Sequence, residues 1–253
     1  MSIENTRNNH MKGPYAKYWI KARSDHYGFM AYDQSLIDLI QKLCREKPKK
    51  MLEVGIGTGW PIAATLSQKG QKVSGVDIAS SLIAKCNEDW PNIEADVADA
   101  AALQYEDNCF ELTYCVHTSW LLPNLPKSIE EMCRVTSNQG SILIDIMNLN
   151  NPFIKQVYRQ HIFENTNVLG KIQKIIKNLA KLILQRGTQD WPFLVSYDPS
   201  YPDAIIDLLS RSGGSDFKLY GWHEKHLEEL SVSEKNSHKD FDRIVVCCRL
   251  QKS

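Results

Sequence analysis

Apolar residues return along this chain in two rhythms. Leu36, Ile37, Ile40 and Leu43 recur at helical spacing, which predicts a helix from Asp33 to Lys47 that Pro48 ends. "KKMLEVGIG" is a short continuous apolar run closed by glycine and reads as a buried strand. "PIAATLSQKG" predicts a helix, with Pro61 in its first turn, where a missing N–H costs nothing, and Gly70 as its C-terminal cap. The cycle then repeats. "KVSGVDIA", "NIEADVADA", "FELTYCVH" and "SILIDIMN" read as strands; "SSLIAKCNEDW" and "LPKSIEEMCRVTSNQG" supply helices between them. Strands alternating with helices over short connections predict a doubly wound parallel sheet with helices on both faces.

After Asn150 the pattern changes. Residues 151–200 carry a helical pattern of their own and read as an insertion after the fifth strand. "YPDAIIDLLSRSGG" is a helix ended by glycines. Two more strands follow, "DFKLYGW" and "DRIVVCCRL", making seven, with a charged connection of about twenty residues between them, too long for a tight hairpin. Cys247 and Cys248 are adjacent in the last strand, so their side chains should point to opposite faces.

Composition narrows the class. A chain of 253 residues with 43% hydrophobic and 24% charged residues is long enough for one α/β domain with a cap. The formal net charge is zero, which argues against a nucleic-acid partner. No apolar run approaches a membrane span, and the polar N-terminus lacks the core of a secretory signal. Seven cysteines without a CxxC pair read as reduced thiols in a cytoplasmic protein. His223 and His226 stand three apart without a third ligand nearby, so no metal site is expected.

The candidate chemistry lies in "MLEVGIGTGW", where Gly55, Gly57 and Gly59 alternate behind the first strand. A strand–glycine turn–helix unit offers backbone amides to a ligand at the carboxyl end of a sheet. The dinucleotide fingerprint wants a small residue at its third position, and Trp60 stands there instead. No phosphate loop of the form G-x-x-x-x-G-K-[ST] occurs.

The pattern Glu53-x-Gly55-x-Gly57-x-Gly59 resembles the first motif of the class I, Rossmann-like S-adenosylmethionine (SAM) methyltransferases. The resemblance continues in order down the chain, through "VSGVDIA", "VADAAALQYEDNCFEL", "TYCVHTSWLL" and "IEEMCRVTSNQGSILIDIMN", and covers roughly Lys50 to Asn148. It implies a Rossmann-like, doubly wound, mostly parallel seven-stranded sheet with a helical cap inserted after strand five. Within one domain of 1–253, residues 1–35 would form an N-terminal cap and 151–200 a lid. The resemblance further implies SAM as cofactor, with Asp77 on the ribose hydroxyls, Asp99 on the adenine amino group and Ala100 offering its amide. Ile78, Cys115 and Val116 complete that implied set. The chain departs from the family pattern at Trp60, at Glu111 where an aspartate is usual, and at Asn138-Gln139-Gly140 in place of Pro-Gly-Gly.

On the acceptor side, His117 at the end of strand four is the best-placed titratable residue for base work. Trp120 and Asn148 are candidate substrate contacts, and packing is the competing reading of the tryptophan. Tyr15, Trp19 and Tyr27 in the aromatic N-terminal segment, and Trp191 and Tyr197 after the insertion, are candidates for closing over the substrate. The insertion also places Lys171, Lys174, Lys177, Lys181 and Arg186 beside an apolar stripe, a pattern suited to a lid, a dimer contact or a membrane-surface helix. These features point to methyl transfer onto an oxygen, nitrogen or carbon of a small molecule, with a natural product as one expected kind, by a monomer or homodimer without stable membrane insertion. A lipid or quinone methyltransferase and a non-catalytic SAM-binding partner protein are the rivals.

Overall fold

The computed structural model of the protein describes residues 31–44, 49–166, 168–170, 172, 198–223, 226–233 and 237–252. The elements are α1 (Ala31–Leu43), β1 (Lys50–Val54), α2 (Ile62–Gln68), β2 (Lys72–Asp77), α3 (Ser80–Asp89), β3 (Glu94–Val97), β4 (Phe110–Cys115), α4 (Leu125–Val135) and β5 (Thr136–Met147). After β5 come α5 (Pro152–Thr166), α6 (Pro202–Arg211), β6 (Gly214–His223), β7 (His226–Leu230) and β8 (Arg243–Leu250). Their single sheet runs β3-β2-β1-β4-β5-β8-β6-β7.

Five strands are parallel, and β8 enters antiparallel between β5 and β6. The sheet has eight strands, one more than the apolar pattern predicts. The extra strand, β7, sits within the charged connection and pairs with β6 from Leu219↔Leu230 to His223↔His226. It is an edge strand whose apolar residues, Leu227 and Leu230, stand three apart. It therefore carries no two-residue rhythm to find.

Strand alternation sorts the core into two layers. Leu52, Ile142, Ile144, Val246 and Cys248 face one side, where Ile129 and Met132 of α4 and Leu209 of α6 cover them. Met51, Leu143, Val245 and Cys247 face the other, under Leu36, Ile37 and Ile40 of α1 and Leu66 of α2. Cys247 and Cys248 thus point to opposite faces as expected, and all seven cysteines are free thiols. Among the described residues no helix is long and apolar enough to cross a membrane.

Local signals set the helix ends near the site. Gly70 follows α2 with φ +86°, the left-handed conformation of a glycine that stops a helix. The Asn124 side chain accepts from the Lys127 amide at 3.2 Å and caps α4. Asn151 does the same for α5, accepting from Phe153 and Ile154.

Strand β2 has no room at Gly75, where an added Cβ would lie 2.2 Å from the Ile56 side chain. Ile56 belongs to the glycine turn, so strand and turn are packed in contact. Gly75→Ala should destabilise the protein by roughly 1–3 kcal/mol in urea unfolding, because Ile56 must be displaced from a filled core.

Candidate active site

The glycine turn after β1 lies at the carboxyl end of the parallel strands, against the start of α2. Gly55 has φ +81°, and a Cβ there would lie 2.3 Å from Thr118 Cγ2, so the turn and the segment after β4 meet backbone to side chain. Gly57 has φ +58° and faces open space. Gly59 closes the turn, its N–H donating to the Ile56 carbonyl at 3.0 Å, with Cys86 behind it. The Trp60–Pro61 peptide is cis.

A cleft of about 640 Å³, partly open to solvent, lies over this turn and is lined by Glu53, Gly55, Gly57, Thr58, Trp60 and His117, among others. A second lobe of about 440 Å³ is lined by Ile78, Asp99, Ala100 and Pro123, among others. Gly55, Asp77, Thr118 and Leu121 border both lobes, so the two are adjacent.

Asp77 stands at that junction, at the end of β2. Its carboxylate accepts from the Gly57 amide at 3.1 Å and the Ala79 amide at 2.9 Å. Burial pushes the Asp77 carboxyl up to about 6, against the lowering effect of the amides of Ala79, Gly57 and Ile78. Asp99 accepts from the Ala101 amide at 2.9 Å, which fixes its side chain in the second lobe. Glu53 is buried and accepts from the Tyr114 hydroxyl at 3.1 Å. Burial and the Glu53 charge push the Tyr114 phenol well above its ordinary value, so it stays a donor. Trp60 stacks on Trp90, with ring centroids 5.9 Å apart and planes 13° apart. The unexpected indole is therefore a wall of the first lobe, braced by the end of α3.

Two expected cofactor positions lie elsewhere. Strand alternation sends Cys115 into the core layer under α4 while its neighbour Val116 lines the first lobe. Gly59 shapes the turn without lining either lobe.

His117 lines the first lobe and carries a left-handed φ of +58°. Such backbone strain in a non-glycine residue is retained where the surroundings over-determine it. Here the His117 amide donates to Asp145 Oδ2 at 3.1 Å, its Nε2 lies 2.7 Å from Asp33 Oδ1, and its Nδ1 lies 3.2 Å from Arg243 Nη2. A guanidinium only donates, so Nδ1 carries the lone pair and Nε2 carries the hydrogen given to Asp33.

Asp145 organises this cluster. It is fully buried, accepts from Tyr32 Oη at 2.7 Å and Arg243 Nε at 3.1 Å on one oxygen, and pairs with Arg243 Nη2 on the other. The Arg243 guanidinium lies between two rings, 4.8 Å from the Tyr32 centroid and 4.2 Å from that of Trp120. Burial and Asp145 push the Tyr32 phenol well above its usual value.

Two substrate candidates are thereby reassigned. Trp120 is buried against Arg243 and lines neither lobe. Asn148 is fully buried; its side-chain amide donates to the His238 and Phe241 carbonyls at 2.6 and 2.8 Å, and its oxygen accepts from the Asn150 amide. Its polar atoms are used in holding the chain before β8. Tyr15, Trp19, Tyr27, Trp191 and Tyr197 lie outside the described residues, as does most of the basic insertion.

Tyr32, Asp33, Asp145 and Arg243 were not singled out from the sequence. One signal was present: "SILIDIMN" sets a carboxylate at the centre of a buried apolar strand, and a buried carboxylate needs a partner.

The fold and this two-lobed cleft define the Rossmann-like class I arrangement of SAM-dependent methyltransferases. Residues 52–144 match the methyltransferase domain family, and the chain carries such a SAM-dependent domain. Among curated relatives, the demethylmenaquinone methyltransferase of Chlorobaculum parvum is 29% identical over 171 residues, 66% of each chain. The norajmaline N-methyltransferase of Rauvolfia serpentina is 30% identical over 105 residues, 39% of this chain and 36% of its own. The chain thus spans about two thirds or less of the length of these relatives. A SAM-dependent methyltransferase structure from Thermotoga maritima superposes with a TM-score of 0.63 at 13% identity, covering 94% of this chain and 99% of that one.

The residues present fit SAM. Gly57 leaves open space beside the cleft, no lysine or arginine among the described residues lines either lobe to demand a phosphate, and Asp77 keeps acceptor capacity for two hydroxyls. The raised Asp77 carboxyl gives binding a pH dependence of definite sign. Affinity for SAM should be flat above neutrality and fall as pH drops through about 6, where Asp77 takes up a proton and accepts hydroxyls less well. Calorimetry at about pH 5 and about pH 7.5 checks this; Asp77→Ala should bind at least ~10-fold more weakly and lose the dependence. In the cluster beside it, Asp145→Ala should cost roughly 1–3 kcal/mol in urea unfolding, because the half-buried Arg243 loses its counter-charge and the buried Tyr32 hydroxyl its acceptor.

Proposed function

We propose that the protein transfers the methyl group of SAM to an oxygen, nitrogen or carbon of a small, ring-bearing, largely apolar metabolite. The single observation that carries this is the adjacency of the two lobes across Asp77 and Thr118. One lobe holds Asp77 and Asp99, suited to a nucleoside, and the other ends at a paired histidine. The curated relatives named for a quinone and for an alkaloid support the acceptor class. In this reading residues 1–35 and 151–200 close over the acceptor, with Tyr15, Trp19, Tyr27, Trp191 and Tyr197 among its walls, and the protein works in the cytoplasm.

Asp77 would hold the ribose, Asp99 and the Ala100 amide the adenine, and the Gly55–Gly57 backbone the amino-acid end. SAM supplies, when bound, a methyl group on a sulfonium, whose leaving group is already good. The work left to the protein is positioning and proton removal. Trp60 and Leu82 give the first lobe apolar walls that limit water beside the transfer. Asp33 orients His117 through Nε2 and stabilises it once charged, which leaves Nδ1 to receive a proton from the acceptor. Arg243 must release its 3.2 Å contact with Nδ1 when the acceptor arrives.

The test is incubation of the purified protein with methyl-labelled SAM and quinone, phenol and amine panels, with mass spectrometry of the products. Label in a small molecule supports the reading. Tight SAM binding with no transfer to any panel or cell extract favours the non-catalytic alternative. With the acceptor in hand, His117→Ala should lower turnover by about 100-fold or more while SAM affinity stays within about threefold. Unchanged turnover would remove His117 as the base.

A further inference from the structure

The Nδ1 lone pair of His117 already has a donor, Arg243 Nη2 at 3.2 Å. An acceptor delivers its proton to Nδ1 only by taking that donor's place. The displaced N–H then constrains the acceptor, because a donor held away from water without a partner is costly.

Arg243 is not free to swing away. Its Nε and Nη2 are both held by the fully buried Asp145. Its guanidinium is packed between two rings, 4.8 Å from the Tyr32 centroid and 4.2 Å from that of Trp120. The side chain is 19% exposed, and it reaches the first lobe through His117 without lining it. The nitrogen Nη2 carries two hydrogens, one of them engaged by Asp145. It therefore stays beside Nδ1 while its other hydrogen turns to a new partner.

We propose that Arg243 is a specificity-determining residue, which selects an acceptor with an oxygen on the carbon next to the one bearing its reacting hydroxyl or amine. A catechol or a hydroxyquinone with neighbouring oxygens is of this class. The reacting group gives its proton to Nδ1 while the neighbouring oxygen accepts from Nη2. Oxygens on adjacent ring carbons lie about one hydrogen-bond length apart, ~2.7 Å. That spacing suits the 3.2 Å between the two nitrogens. Oxygens across a ring cannot meet both. Asp145 already neutralises Arg243, so the neighbouring oxygen needs no charge of its own. In the transfer the acceptor atom forms its bond to the methyl carbon as the carbon–sulfur bond of the sulfonium breaks. The electron pair of that bond leaves with the sulfur, and the proton passes to Nδ1. This selection rests on the acceptor reading given above, but it is measured by binding as well as by transfer, so the two fail separately.

Calorimetry of catechol, resorcinol and hydroquinone against the whole protein saturated with S-adenosylhomocysteine tests it, since the three are isomers. Catechol should bind about tenfold or more tightly than the other two. Arg243→Lys keeps a charge for Asp145 but loses the forked donors. It should lower catechol affinity to the level of hydroquinone, with hydroquinone and SAM affinities unchanged within about threefold. A purely structural role would weaken all three isomers alike. Should the lysine variant not fold, the isomer preference of the parent protein still decides. Isomers that bind the parent alike, or not at all, overturn the proposal. Methyl transfer onto an isolated hydroxyl or amine also overturns it while leaving the methyltransferase reading intact. Catechol preference without transfer to any compound supports the selection and removes the transfer.

Discussion

The pairing of Asp145 with Arg243 is the interaction on which the His117 end of the cleft depends. A carboxylate near the carboxyl end of a buried strand is stable only with a counter-charge and with its remaining lone pairs used. Arg243 provides the charge, and Tyr32 and the His117 amide take the rest. The four participants come from α1, β5, β8 and the turn after β4, so one carboxylate ties the first described helix to three neighbouring parts of the sheet. His117 is held in its strained backbone conformation by that carboxylate, and Asp33, next to Tyr32, reaches its ring.

The cofactor end rests on a different constraint, close backbone approach. Gly55 and Gly75 are places where a methyl group would collide with Thr118 and Ile56, so the turn after β1 is pressed against both β2 and the segment after β4. That closeness brings Asp77 within hydrogen-bond distance of the Gly57 amide. It also leaves the Asp77 carboxyl poorly hydrated, ready to gain from donors that a ligand supplies. Thr118 links the two ends, since it packs on Gly55 and follows His117 directly.

Beyond the cleft the molecule is asymmetric. The edge carrying β3 and β2 forms the cofactor side, while α5 leaves the other side of β5 with apolar and basic residues outward.

The sequence by itself determined the alternation of strands and helices, the glycine turn, Asp77, Asp99 and the placement of His117 at the cleft. Each is a local signal: apolar rhythm, glycine at alternate positions, or an acidic residue at a strand end. Trp60 was visible as an anomaly, but its stacking on Trp90 needed the fold, because the two are thirty residues apart. β7 escaped because an exposed edge strand buries too little to impose a pattern. By sequence Asn148 is a candidate substrate contact and Trp120 either such a contact or a packing residue, and only the tertiary structure shows their polar and aromatic surfaces already taken by His238, Phe241 and Arg243. The Asp145 cluster was decided there too. Its members lie up to two hundred residues apart, and no periodicity or spacing in one chain records which buried charges meet across a sheet.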